Sequence, residues 1–148
     1  MLDSNMHRQL AVECFNSCWK LIDKETRTDE EDEEMRRLSE VSLFHWQHVE
    51  NCTDQNRSIG YWQLARVYAI TDKLDIAMDY AEKCQHYSQD LGPFCRAYSF
   101  EATARVLSLD GQLEQAREYV IQASDLKEQV EDEKDRELLS NDLDSIML

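Results

Sequence analysis

The sequence predicts an all-α protein built from stacked helix pairs, on three observations. With three Gly and one Pro in 148 residues, the chain has little material for the turns of a β-sheet. Apolar residues recur at helical spacing along most of its length. An internal repeat at a distance of 39 residues relates Ala65 to Ala104, Arg66 to Arg105, and Ala77 to Ala116. A helix-turn-helix unit that repeats at a fixed distance is typical of a stacked helical array.

The charge of the chain argues against two classes of partner. Lys and Arg total 16 against 31 Asp and Glu, which gives a net charge of −15. Such a surface repels phosphate backbones and anionic lipids, so we expect neither a nucleic-acid nor a membrane partner. Residues 1–8 lack a basic segment followed by an apolar stretch, and the five cysteines follow no regular spacing. We therefore expect a cytoplasmic protein with reduced thiols.

The first two helices are predicted from apolar spacing and a capping pattern. The first is expected to begin near Ser4 and to end near Lys24. Thr28, followed three residues later by Glu31, forms a capping box for the second helix. The acidic run 29–34 then lies in the first turns of that helix, where carboxylates face the positive end of the helix dipole. The alternative is a disordered acidic segment that binds a basic partner.

Five more helices are predicted after the second one, which ends by Asn51. Thr53 or Asp54 is expected to cap the third helix. Gly92 suits the left-handed residue that follows a helix, and Pro93 suits the first turn of the next helix. The other breaks fall at residues 71–73 and 110–111. The last segment, 131–148, reads as a capping helix with its apolar residues at Leu139, Leu143 and Ile146.

The two repeats resemble the tetratricopeptide repeat. The first copy, 58–89, carries the pattern at Tyr61, Leu64, Ala65, Tyr68, Ala77 and Ala81. The second copy, 97–128, carries it at Phe100, Ala104, Leu107, Gly111, Ala116 and Ala123. Thr103 and Leu107 depart from the family's Leu and Tyr, the closing Pro is missing from both copies, and the period of 39 residues exceeds the usual ~34. The resemblance implies a single helical array over 1–148, with helices one and two as a degenerate first unit.

The resemblance also implies a non-catalytic scaffold that binds a protein or peptide in its concave groove. The residues that it places in this groove are Trp62, Arg66, Tyr98, Glu101 and Arg105. The two guanidiniums, roughly 10 Å apart on neighbouring helices, would hold a carboxylate while the aromatic rings bury an apolar group. The expected ligand is therefore an acidic or C-terminal peptide segment with an apolar neighbour. In the alternative interpretation, each Arg pairs with a nearby acid such as Glu101.

A second function is predicted from two histidines. His45 and His48 are three residues apart, so on a helix both imidazoles face the same side and could reach one metal ion. A third ligand would come from His7, Glu13 or Cys14. The alternative is a pair of partly buried histidines beside Trp46.

The runner-up function is thus a small-ligand or metal-binding helical protein, or a vestigial enzyme, with its site near His45, Trp46 and Trp19. Cys14 and Cys18, one helical turn apart, read as core thiols or as ligands. Because no nucleophile, base and orienting group recur in a known spacing, we expect no enzyme and no cofactor. The sequence leaves the oligomeric state open.

Overall fold

A computed structural model describes all 148 residues as seven α-helices without a strand, which confirms the all-α prediction. The helices are α1 (Ser4–Ile22), α2 (Asp29–Trp46), α3 (Asp54–Ile70), α4 (Leu74–Ser88), α5 (Pro93–Leu109), α6 (Leu113–Lys127) and α7 (Glu133–Asp144). None of them is long and apolar enough to cross a lipid bilayer.

The predicted N-terminal caps of α2 and α3 are confirmed. The Thr28 hydroxyl accepts a bond from the backbone N–H of Glu31 at 3.2 Å, and the Glu31 carboxylate accepts one from the N–H of Thr28 at 3.1 Å. The acidic run is therefore ordered at a helix start, as the dipole argument predicted. Thr53 forms the equivalent reciprocal pair with Asn56 at the start of α3.

One local prediction needs correction. Gly92 has φ −68° and caps the start of α5 in an extended conformation, so it is not a left-handed residue after α4. The left-handed residue after α2 is Asn51, with φ 60°. The buried side chains of α2 are Met35, Ser39, Ser42 and Leu43, whereas Val41 is exposed. Small serines face inward because α1 packs closely there, and the Ser42 hydroxyl donates to the Ala11 carbonyl at 2.8 Å.

Successive helices pack side by side, with the most extensive packing within the pairs α1–α2, α3–α4 and α5–α6. The bounds of α3 and α4 recur in α5 and α6 at a distance of 39 residues. The turns of these two pairs also correspond: Asp72 has φ 62° and Gly111 has φ 80°. In the first pair the Lys73 N–H donates to the Tyr68 carbonyl at 2.9 Å, and in the second the Gln112 N–H donates to the Leu107 carbonyl at the same distance.

The odd-numbered helices form a continuous row, because α3 contacts both α1 and α5, and α5 contacts α7. We call the surface of this row the odd-helix face. Three apolar residues of the C-terminal segment, Leu139, Leu143 and Ile146, are buried in the main core cluster. That burial holds α7 against α5 and brings Asp142, on the same helix, towards the residues predicted to line a groove.

Candidate functional site

The structure brings together all five residues predicted for the groove, around the carboxylate of Glu101. This carboxylate is fully buried. It accepts hydrogen bonds from Arg66 Nη2 at 2.9 Å, from Arg105 Nε at 3.3 Å and from Trp62 Nε1 at 3.1 Å. With Asp142 it balances the two guanidiniums. We call Arg66, Glu101, Arg105 and Asp142 the charged cluster.

The C-terminal segment supplies the other half of this cluster. Asp142 accepts a hydrogen bond from the Tyr98 hydroxyl at 2.6 Å and lies 3.4 Å from Arg66 Nη2. Arg105 Nη2 donates to the Asp142 carbonyl at 3.0 Å and to the Ser145 hydroxyl at 2.7 Å. The chain's own acidic, C-terminal segment thus lies where an external acidic segment was expected.

The two guanidiniums share this environment, but their pKa values are shifted in opposite directions. Burial alone would lower the pKa of Arg66, yet the carboxylates of Glu101 and Asp142 more than offset it and the pKa is raised. The pKa of Arg105 is lowered, first by burial and then by the charge of Arg66. Burial and the hydrogen bond to Asp142 raise the pKa of Tyr98. In this conformation neither arginine offers an open pair of donors to a ligand carboxylate, although the buried Nε of Arg66 has no partner.

Beside the charged cluster lies a cavity of about 220 Å³ that all four odd-numbered helices line. Of its ten lining residues, eight are hydrophobic. The lining consists of Phe15, Trp19, Ser58, Ile59, Trp62, Phe94, Cys95, Tyr98, Leu138 and Asp142. We call this cavity the aromatic pocket. Two residues predicted for the groove, Trp62 and Tyr98, are therefore placed in its wall.

The rings of the aromatic pocket meet nearly at right angles. Trp19 and Trp62 have centroids 5.4 Å apart and planes at 83°. The centroids of Trp62 and Tyr98 are 5.2 Å apart and their planes meet at 72°. For Phe94 and Tyr98, the centroid distance is 5.1 Å and the interplanar angle is 77°. Such edge-to-face contacts fix the rings relative to one another, so the pocket has a preformed shape. Leu138, which is 47% exposed, lies at its rim.

Two further cavities adjoin the aromatic pocket. One shares Phe94 and Cys95 with it and is also lined by three acids, Glu131, Asp132 and Asp135. None of these three carboxylates forms a salt bridge. The other shares Phe15 and Ile59 and extends along α1, with Val12, Asn56 and Trp46 in its lining. Neither the aromatic pocket nor the acidic cavity is lined by a Lys, Arg or His.

Sequence reasoning missed several members of the aromatic pocket, among them Phe15, Phe94 and Leu138. Phe15 lies on the predicted apolar face of α1, and Phe94 follows the predicted helix start at Pro93. The local sequence pattern could therefore have indicated both residues. Leu138 had no such signal, because nothing in its local pattern shows that α7 folds back over the odd-helix face.

The histidines converge away from this site. His7 Nδ1 lies 2.9 Å from His45 Nδ1, and the rings of His7 and His48 stack with centroids 5.1 Å apart. His48 Nδ1 is bonded to the Phe44 carbonyl at 2.8 Å. Burial, followed by the charges of His7 and His48, lowers the pKa of His45. No group of three or more His, Cys, Asp or Glu side chains in the chain has the arrangement needed to hold a metal ion.

All five cysteines are free thiols. Cys18 is buried and donates to the Met35 carbonyl at 3.4 Å. Burial raises its pKa to about 12. Burial also raises the pKa of Cys14, its neighbour one turn away. Thiols with raised pKa values are poor nucleophiles, so neither side chain has the properties of a reactive thiol.

Comparisons with protein family models, with curated proteins and with solved structures found no match. The aromatic pocket offers a fixed apolar shape at the surface, with Ser58 and Asp142 as its polar groups. In ligand sites of this kind, an apolar group of the ligand is buried and a few polar groups set its orientation.

Proposed function

We propose that this protein is a non-catalytic binding module that takes one side chain of a peptide or protein segment into the aromatic pocket. One observation carries the proposal. Along the odd-helix face, the C-terminal segment covers the charged cluster but leaves the aromatic pocket open. An open, preformed cavity walled by aromatic rings is the surface in which binding energy concentrates in protein interfaces.

The adjoining cavities support a segment rather than an isolated small molecule. Complete burial of a large apolar side chain contributes about 1.5–3 kcal/mol, which is too little for a stable complex by itself. The cavity along α1 continues the apolar surface past Phe15 and Ile59. A segment anchored in the aromatic pocket can therefore make further contacts on either side.

We also propose that the helices form a tetratricopeptide-like array. The matching bounds of the pairs α3–α4 and α5–α6 support this, as do the fully buried Ala77 and Ala116 at equivalent positions. If both alanines lie at the same close helix crossing, replacing either by Leu overpacks it and costs about 1–3 kcal/mol of unfolding free energy. Chemical denaturation of Ala77→Leu and Ala116→Leu measures this cost. Stability changes near zero in both variants would count against the repeat.

The binding proposal is tested by selecting peptides from a random library on the native protein and measuring their affinities for two variants. Leu138→Trp places a large ring at the rim of the aromatic pocket. Ile121→Trp introduces the same residue at a 60% exposed position on α6 that lines none of the cavities described above.

We expect the selected peptides to bind native protein and Ile121→Trp equally, and Leu138→Trp at least about tenfold more weakly. Equal binding to all three proteins would place the binding surface elsewhere. To bind the acidic ligand expected from the sequence, Arg66 and Arg105 would have to give up their bonds to Glu101 and Asp142. The net charge of the selected peptides therefore tests that expectation.

A further inference from the structure

We propose that the group held in the aromatic pocket is an alkylated ammonium, carried by the partner segment as an N-methylated lysine. This inference rests on the proposed function and names the side chain that the pocket recognises. Phe15, Trp19, Trp62, Phe94 and Tyr98 supply most of the apolar lining.

An aromatic wall differs from an aliphatic one in its electrostatics. The face of each ring is the negative end of a quadrupole, and it attracts a cation within about 6 Å of the ring centre. The ring of Trp62 already attracts a cation in this way, because the Arg66 guanidinium carbon lies 5.3 Å from its centroid. In the aromatic pocket, successive ring pairs stand at 83°, 72° and 77°, so the ring planes face different directions. A compact, roughly spherical cation can therefore contact several rings at once.

The charges around the aromatic pocket also favour a cation. The two guanidiniums of the charged cluster are matched by Glu101 and Asp142, so the cluster is neutral as a set. The adjoining cavity adds Glu131, Asp132 and Asp135, and the nearby Arg136 guanidinium donates to the Val130 and Glu131 carbonyls rather than to these carboxylates. The chain as a whole carries −15, which attracts cations over a longer range.

Hydrogen-bonding capacity distinguishes a methylated lysine from an unmodified Lys or Arg. An ammonium brings three donors and a guanidinium brings five, and each needs an acceptor once it leaves water. The aromatic pocket offers Ser58 and Asp142, and Asp142 already accepts from Tyr98 and lies close to Arg66. A trimethylammonium group has a charge but no N–H donor, so it enters without leaving a donor unsatisfied.

The experiment compares a cation with its neutral carbon isostere. The first probe is N-acetyl-trimethyllysine amide, and the second replaces its trimethylammonium group by tert-butyl, which keeps the shape and removes the charge. Choline is the third probe, and N-acetyl-lysine amide is the fourth. Binding to the full chain is followed by tryptophan fluorescence, to which Trp19 and Trp62 of the pocket contribute, and by calorimetry.

We expect the trimethyllysine probe to bind about tenfold more tightly than the tert-butyl isostere, in line with cation–π energies in desolvated sites. It should also bind more tightly than the unmodified lysine probe. Equal affinity for the cation and the isostere would overturn the inference while leaving an apolar peptide-binding pocket in place. No binding of the cation, or tighter binding of the unmodified lysine probe, would also overturn it. Choline binding as tight as that of trimethyllysine would overturn the assignment to a peptide, because it would show that the head group alone is recognised.

Two variants separate aromatic from merely apolar recognition. Phe94→Leu keeps an apolar side chain of similar size but removes a ring, so the preference for the cation over the isostere should fall. Leu138→Ala removes a non-aromatic part of the rim, and should weaken both probes by the same factor. Melting curves check that both variants are folded. Retention of the full cation preference in Phe94→Leu, and equally in Phe15→Leu, would contradict the role of the rings.

Discussion

The charged cluster and the aromatic pocket lie side by side on the odd-helix face and share Asp142, yet they differ in how far the chain itself covers them. The charged cluster is closed by the protein's own C-terminal segment, whereas the aromatic pocket stays open. A buried charge without a partner costs several kcal/mol, so the fold must supply the partner itself. A partly exposed ring costs little, so it remains available to a ligand.

This difference explains why the best sequence candidates for ligand binding are internal contacts. An Arg at an inward-facing position either meets a ligand or is paired within the fold. Here α7 folds back, and Glu101 and Asp142 complete the pairing for both Arg66 and Arg105. The region that stays open is the aromatic pocket, whose lining is mostly apolar.

The largest effect should follow from breaking the charged cluster at its centre. Glu101→Ala leaves two buried guanidiniums without their shared acceptor, and we expect a loss of about 3–5 kcal/mol in unfolding free energy. Urea denaturation measures it. Leu138→Ala, at the 47% exposed rim of the aromatic pocket, is the control and should change stability by far less. Similar losses in the two variants would contradict the contrast between a closed and an open region.

Asp142→Asn should have the next largest effect, because this residue links the two regions. Asn still accepts a hydrogen bond from the Tyr98 hydroxyl but removes the charge beside Arg66. We expect a loss of about 1–3 kcal/mol, smaller than for Glu101 because the Asp142 side chain is 18% exposed. Amide exchange in α7 should speed up while that in α4 does not. Unchanged exchange in α7 would mean that Asp142 does not hold the C-terminal segment.

Trp62→Phe separates the two roles of a single residue. Its indole N–H donates to Glu101, and its ring forms part of the wall of the aromatic pocket. The variant removes the donor but keeps an aromatic ring, so we expect a stability loss of about 1–2 kcal/mol and a retained preference for the trimethylammonium probe. Loss of that preference without a loss of stability would reverse this assignment of roles.

The local structure was predictable from sequence because its causes are local. The capping box of Thr28 and the cap at Thr53 depend on residues three positions apart, and both are confirmed. The helix breaks depend on short turns such as that at Gly111. The prediction for Gly92 is wrong because a glycine between two helices can either end the first helix or begin the second.

The candidate site was predictable only in part, because its decisive contacts are distant in sequence. The pairing of Arg66 with Glu101 was already present as the alternative interpretation. The contact between Arg66 and Asp142 spans 76 positions and depends on how α7 docks. Helical periodicity shows which side of α7 is apolar, but it does not show which surface that side covers.

The smallest effect is expected outside both regions, at the cluster of His7, His45 and His48. The pKa of His45 is lowered by burial and by its two histidine neighbours, so the folded state favours the neutral ring. The unfolded chain, with a His pKa near 6.5, binds more protons as the pH falls through that value. The associated stability is therefore fully present above about pH 6.5 and is lost below it.

The hydrogen bond between His7 Nδ1 and His45 Nδ1 supports this direction, because it needs one protonated and one bare nitrogen. Denaturation at about pH 7.5 and about pH 5.5 should show a smaller loss on acidification for His45→Gln than for native protein. An equal loss in both proteins would assign the pH dependence to other groups.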